Sequence, residues 1–335
     1  MASSVGERLT RLRRSVQHRA EYALVLLARE LDRALGPRRS GALAAALGRF
    51  VYRRLGIRSA VVESQLRRAF PERDEDWIRA TASGAYEHLG REGMMLLRLS
   101  RLGREDVLAA TEVEGLDAMR AAVEAGTGAV LVTGHLGNWE IGGASLAARG
   151  IPMDVVAQRQ ANPLFDRLIN DARARLGMTV IRRGAATRES LRSLRRGHVI
   201  ALVADQDARH RGVFVPFFGR PASTYRGPAV LALRTGAPVF IGTAVRRDDG
   251  GYHVRLRRIP TPPAGKDPGQ REWELTASLA AALEAAVREA PEQYLWHHRR
   301  WKTEPAGPAA ESMQASGPPG APMEPSTDGG VRERI

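Results

Sequence analysis

An α/β fold with a largely parallel central sheet flanked by helices is predicted by three features of this 335-residue chain. Short Val- and Ile-rich runs of buried-strand character recur at 129–133, 153–157, 179–182, 199–204, 238–245 and 252–259. Helical patterns separate most of them, at 138–149, 163–176, 187–195 and 225–235, with a further one at 272–290. Strands that alternate with helices favour parallel pairing, because each crossover helix carries the chain back to the end of the sheet where it began. The third feature is content: 43% of the residues are hydrophobic, enough to bury a sizeable core. Asp248-Asp249-Gly250-Gly251, between the last two runs, reads as a hairpin turn and puts one antiparallel pair at an edge of the sheet.

Two amphipathic helices are expected ahead of the sheet, within residues 1–58. Leu24, Leu27, Leu31 and Leu35 fall on one helical stripe, and Leu43, Leu47, Phe50, Val51 and Leu55 on another after the Gly36-Pro37 break. Upstream lie Arg8, Arg11, Arg13, Arg14 and Arg19, opposed only by Glu7. The segment suits a membrane surface, with the apolar stripe in the lipid boundary and Arg at anionic headgroups, or else plain packing on the domain. The apolar run 22–28 is stopped by Arg29 and Glu30, well short of the roughly 20 residues of a membrane span, and lacks a signal-peptide pattern. The catalytic part is therefore expected to stay on the cytoplasmic side. Helices at 75–99 and 112–125 lead into the first strand. Residues 59–303 are expected to form the α/β domain, and 304–335, rich in Pro, Gly, Ala and Ser, a disordered tail.

With 51 Lys+Arg against 37 Asp+Glu, the formal charge is +14, which predicts an anionic partner: nucleic acid, lipid headgroups or an acidic protein. The absence of cysteine excludes disulfides, thiolate metal sites and a cysteine nucleophile. No metal site is expected either, since there is no HExxH pattern and the adjacent His297 and His298 point in different directions. Gly143-Ala144-Ser145-Leu146-Ala147 lacks the second glycine of a serine-hydrolase elbow. Gly126-Thr127-Gly128 precedes a strand, where a dinucleotide fingerprint would follow one.

The string Thr133-Gly134-His135-Leu136-Gly137-Asn138-Trp139-Glu140 falls where the first strong strand stops and a helix begins. His135 is expected in the turn, Asn138 at the N-cap and Glu140 in the first helical turn, where the macrodipole favours an ionised carboxylate. With His135 in the loop, the two side chains can approach each other. An imidazole oriented by a carboxylate suits a general base acting on a hydroxyl; the same pair can also be an idle polar contact.

Gly134 through Glu140 resembles the His-x4-Glu block of the lipid A biosynthesis acyltransferases, a branch of the lysophospholipid acyltransferase superfamily. Further segments agree in order: Arg159 through Asn162-Pro163, Asp205-Gln206-Asp207, Val215-Pro216-Phe217-Phe218-Gly219 with Pro221-Ala222-Ser223-Thr224, and 291–296 running into His298-Arg299-Arg300. The resemblance implies an acyltransferase-like fold at the cytoplasmic face of the inner membrane. It implies transfer of a fatty acyl group from a thioester, on acyl carrier protein or CoA, to a hydroxyl of a lipid A precursor or another glycolipid such as a phosphatidylinositol mannoside. It further implies His135 as base, Glu140 as its partner, and direct attack by the acceptor oxygen with no cofactor. Arg159 and Asn162 fall in a family block and are candidate substrate contacts, Arg159 through a phosphate. Asp205 and Asp207, at a strand end, can hold Arg159, orient a sugar hydroxyl or cap a turn. Phe218 can line an acyl channel or sit in the core, and Thr224 and Arg226 are candidate acceptor contacts. The aromatic and basic segment 293–302 reads as a membrane-facing belt or a docked terminal segment, and without a nucleic-acid motif no nucleic-acid partner is expected. A non-catalytic membrane-binding α/β protein is the reading from a different class.

Overall fold

The computed structural model describes residues 2–183 and 186–305, so all but the first residues of the expected tail lie outside the described residues. The helices are α1 (Ala2–Phe50), α2 (Ser59–Ala69), α3 (Glu75–Leu99), α4 (Arg104–Ala110), α5 (Leu116–Glu124), α6 (Trp139–Ala148), α7 (Pro163–Arg175), α8 (Ala186–Arg195), α9 (Gly227–Thr235) and α10 (Pro268–Glu289). The strands are β1 (Thr111–Glu114), β2 (Ala129–Thr133), β3 (Met153–Ala157), β4 (Met178–Arg182), β5 (Val199–Val203), β6 (Val213–Phe217), β7 (Arg220–Thr224), β8 (Val239–Arg246) and β9 (Tyr252–Ile259).

Seven strands form one sheet in the order β1-β9-β8-β2-β5-β3-β4, while β6 and β7 pair as a separate ribbon. Every pairing in the large sheet is parallel except the β8–β9 hairpin, in agreement with the expected class. That hairpin is not at the edge. β1, expected as the start of a helix, pairs in parallel outside β9 and caps it. Alternate residues of β2 serve two cores, as a strand covered on both faces requires. Val130 and Val132 pack with α9, α10 and the β6–β7 ribbon, and Ala129 and Leu131 pack on the α6 side.

α1 bends at Gly36, whose φ of 75° and ψ of 168° interrupt the helix where Pro37 follows. Its second half packs on α3 through backbone contact. A Cβ on Gly48 would come within 2.1 Å of the Tyr86 carbonyl oxygen, and one on Gly90 within 2.2 Å of that of Ala44. At the bend, buried Asp32 is held by Arg98, Arg101 and Ser40. The outer stripe stays uncovered: Leu12, Val16, Leu24, Leu27, Leu31, Leu43, Leu47 and Phe50 are 41% to 66% exposed. No helix among the described residues is long and apolar enough to cross a membrane.

Candidate active site

The Val-rich run of β2 ends at Thr133, and the chain turns sharply over 134–138 before α6 starts. Two glycines make that turn possible. Gly137 has φ of +59°, and a Cβ there would collide with the Ala244 carbonyl oxygen at 1.9 Å; a Cβ on Gly134 would meet Leu283 at 2.7 Å. The turn is fastened by the Gly137 N–H donating to Gln293 O (3.0 Å), the Asn138 N–H to Ala244 O (2.8 Å) and the Leu295 N–H to His135 O (2.9 Å). Asn138 is the N-cap as expected: its Oδ1 accepts from the Ile141 N–H, and its Nδ2 donates to Glu92, which also accepts from the Tyr252 hydroxyl.

The carboxylate against His135 is Asp205, at the end of the neighbouring strand β5. The ring Nδ1 stands 2.7 Å from Asp205 Oδ1, and the His135 backbone N–H donates to Oδ2 at 2.8 Å. Nδ1–H therefore donates, and Nε2 is left as the acceptor. Burial acts against the imidazolium, but the ionised Asp205 beside it outweighs that effect and raises the affinity of His135 for a proton. Burial likewise disfavours charge on Asp205, yet the imidazole and the two hydrogen bonds hold its carboxyl below its ordinary range. Burial, and after it the negative charge of Asp205, pushes the hydroxyl of the neighbouring Tyr294 well above its ordinary range.

Glu140 is not the partner of the imidazole. It forms a two-pronged ion pair with Arg173 on α7, with Nε to Oε2 at 2.9 Å and a second bond from Nη2 to Oε1. The reason is the turn: Asn138 caps the helix, so Glu140 in the first helical turn faces α7, while β5 lies beside β2 and presents Asp205 to the loop. The remaining expected contacts divide sharply. Arg159 lies exposed on the rim of the main cavity, with no hydrogen-bond or ion-pair partner among the described residues. Asn162 instead caps α7 and donates to His18 O and Glu21 on α1. Asp205 does not hold Arg159, and Asp207 accepts from Thr303 away from the cavity. Phe218 is core, packed edge-on against Phe70 and Trp296. Thr224 is buried under Arg300, and Arg226 pairs with Glu272 at 3.3 Å.

Two residues near His135 went unnominated in the sequence. The Gln206 amide nitrogen is 3.4 Å from His135 Nε2 and 2.8 Å from His298 Nε2, and the two imidazole rings are 5.3 Å apart. Both fall in the segments that agree with the family, Asp205-Gln206-Asp207 and His298-Arg299-Arg300, but nothing in those segments singles them out. The main cavity, about 940 Å³, opens at the carboxyl ends of β2, β3 and β5 and runs beneath α6, between that helix and the sheet. His135, Trp139, Glu140 and Arg173 stand at its polar end, and its depth is aliphatic, with Leu131, Leu146, Val155, Ile169 and Leu256.

The sequence pattern of bacterial lipid A biosynthesis acyltransferases matches residues 11–303. The chain belongs to that family. The chain is similar to a lipid A biosynthesis lauroyltransferase of Escherichia coli (strain K12), 30% identical over 269 residues, which cover 79% of this chain and 86% of the relative. A lipid A biosynthesis myristoyltransferase of the same organism is 25% identical over 266 residues, 78% of this chain and 81% of the relative. A phosphatidylinositol mannoside acyltransferase of Mycobacterium tuberculosis (strain CDC 1551 / Oshkosh) is 38% identical over 133 residues, 38% of this chain and 42% of the relative. As a lipid A acyltransferase family member, the protein is an acyltransferase.

Proposed function

We propose that the protein transfers a fatty acyl group from an acyl thioester, carried by acyl carrier protein, to a hydroxyl of a lipid A precursor or similar glycolipid. The observation that carries this reading is one imidazole, oriented by a buried carboxylate, at the polar end of a deep aliphatic cavity. His135 Nε2 takes the proton of the acceptor hydroxyl as its oxygen attacks the thioester carbonyl carbon. The carbonyl electrons move onto oxygen, and the tetrahedral species collapses by breaking the C–S bond. The thiolate leaves with the proton returned by His135, so no enzyme nucleophile is needed. Asp205 fixes the tautomer and stabilises the imidazolium formed on the way. The Gln206 amide is the side-chain donor nearest to the reacting nitrogen and suits the oxyanion. Glu140 positions the site through Arg173, joining α6 to α7 over the cavity mouth, and Arg159 meets an anionic group of the acceptor. The uncovered stripe of α1 lies on the membrane from which the lipid acceptor comes.

A second acceptor, a phosphatidylinositol mannoside with acyl-CoA as donor, is favoured by the 38% identity to the mycobacterial enzyme. Lipid A carries the first choice because that similarity covers only 38% of the chain, against 79% for the lauroyltransferase. His135→Ala is expected to lower transfer at least about 10³-fold while leaving the circular dichroism spectrum unchanged. Wild-type turnover by this variant would refute the base. Lipid mass spectrometry of cells with and without the protein names the acceptor.

A further inference from the structure

α6 carries two adjacent glycines in its interior, Gly142 and Gly143. Each costs a helix about 1 kcal/mol relative to alanine, so a packing reason is expected. Gly142 has one: its Cβ would stand 3.0 Å from the Ala244 Cβ, where the helix rests on β8. Gly143 faces the other way, and its Cβ would stand 3.1 Å from the sulfur of Met178, the first residue of β4. Met178 is 4% exposed and lines the main cavity, and its thioether lies against the bare backbone of α6 on the β4 side of the space between helix and sheet.

Resting on the acyl-transfer reading above, we propose that Met178, seated on Gly143, is the stop that sets how long an acyl chain the cavity accepts. Gly143 lies one helical turn, about 6 Å along the axis, beyond Trp139. The Trp139 ring is 4.6 Å from that of His135. With the Trp139 side chain and the gap from Gly143 to the sulfur added, the thioether stands on the order of 15–20 Å from the reacting imidazole, a distance that about fifteen extended bonds cover at roughly 1.2 Å each. Methionine suits the task, since its unbranched end conforms to whatever terminates against it. The two residues act in opposite senses. Truncating Met178 deepens the cavity, whereas a methyl on Gly143 pushes the thioether into it.

The experiment measures initial rates of the full-length wild type, Met178→Ala and Gly143→Ala on a lipid A precursor, with a ladder of saturated acyl carrier protein thioesters stepping by about two carbons. Gly143→Ala raises helix propensity and keeps the comparison available if Met178→Ala unfolds. The preferred donor is expected to lengthen in Met178→Ala and to shorten in Gly143→Ala. The rate ratio between neighbouring donors should change about tenfold, as a methylene gained or lost in an apolar pocket allows. An unchanged order of preference in the folded variants, with all donors still transferred, overturns the stop and leaves acyl transfer standing. No transfer by the wild type from any donor overturns the functional reading and the stop with it.

Discussion

Gly137 shows how much of the site depends on a residue with no side chain. Its φ of +59° and the 1.9 Å approach of the Ala244 carbonyl oxygen leave no room for a methyl group, and the strain and the clash add. Gly137→Ala is expected to cost at least about 2 kcal/mol of stability, read as a lower midpoint in a urea melt. A melt like that of the wild type would show that the turn can move aside. His135 was legible in the sequence for the same local reason, a histidine between glycines at the end of a buried Val-rich strand. Its partner was not. Asp205 lies 70 residues further on, and only the adjacency of β2 and β5, which no linear spacing reveals, brings the two side chains together.

At the level of elements, local patterns carried most of the fold: the strands from β2 to β5 follow from short continuous apolar runs rich in Val and Ile, and the helices between them from period 3.6. The ribbon β6–β7 escaped because each of its strands contains a proline, Pro216 and Pro221, which face each other across the pair. β1 escaped because its four residues include two glutamates and read as a helix start. The two halves of α1 were legible, but which side faces solvent depends on packing against α3. That uncovered side yields a prediction. Replacing Leu24, Leu27 and Leu31 together by Ser should weaken sedimentation with anionic vesicles about tenfold or more, given about 25 cal/mol per Å² of apolar surface. Binding by the wild type should also fall between about 0.1 M and 1 M salt, as the screening length drops from about 10 Å to 3 Å. Equal sedimentation of variant and wild type would exclude this face as the anchor.

Across the whole molecule, the charge of +14, the uncovered stripe and the cavity fit the proposed function, in which an anionic lipid is drawn to an enclosed imidazole. The cavity runs between layers of the sandwich, so no segment of the sequence displays it. It arises from small residues on α6 and the sheet together, whereas the polar end was foreshadowed by His135 and Arg159. Catalysis by this arrangement requires neutral His135, whose proton affinity Asp205 raises above the ordinary value of 6.5. Transfer should therefore switch on as pH rises through a midpoint above 6.5. Removing the carboxylate leaves burial, which favours the neutral ring, and moves the midpoint down. The most direct measurement is the pH dependence of kcat/KM for wild type, Asp205→Asn and Glu140→Gln. Asp205→Asn is expected to lose roughly 10²–10⁴-fold at its plateau with its acid limb displaced to lower pH, while Glu140→Gln keeps the wild-type midpoint. An acid limb unmoved in Asp205→Asn, or displaced only in Glu140→Gln, would contradict that.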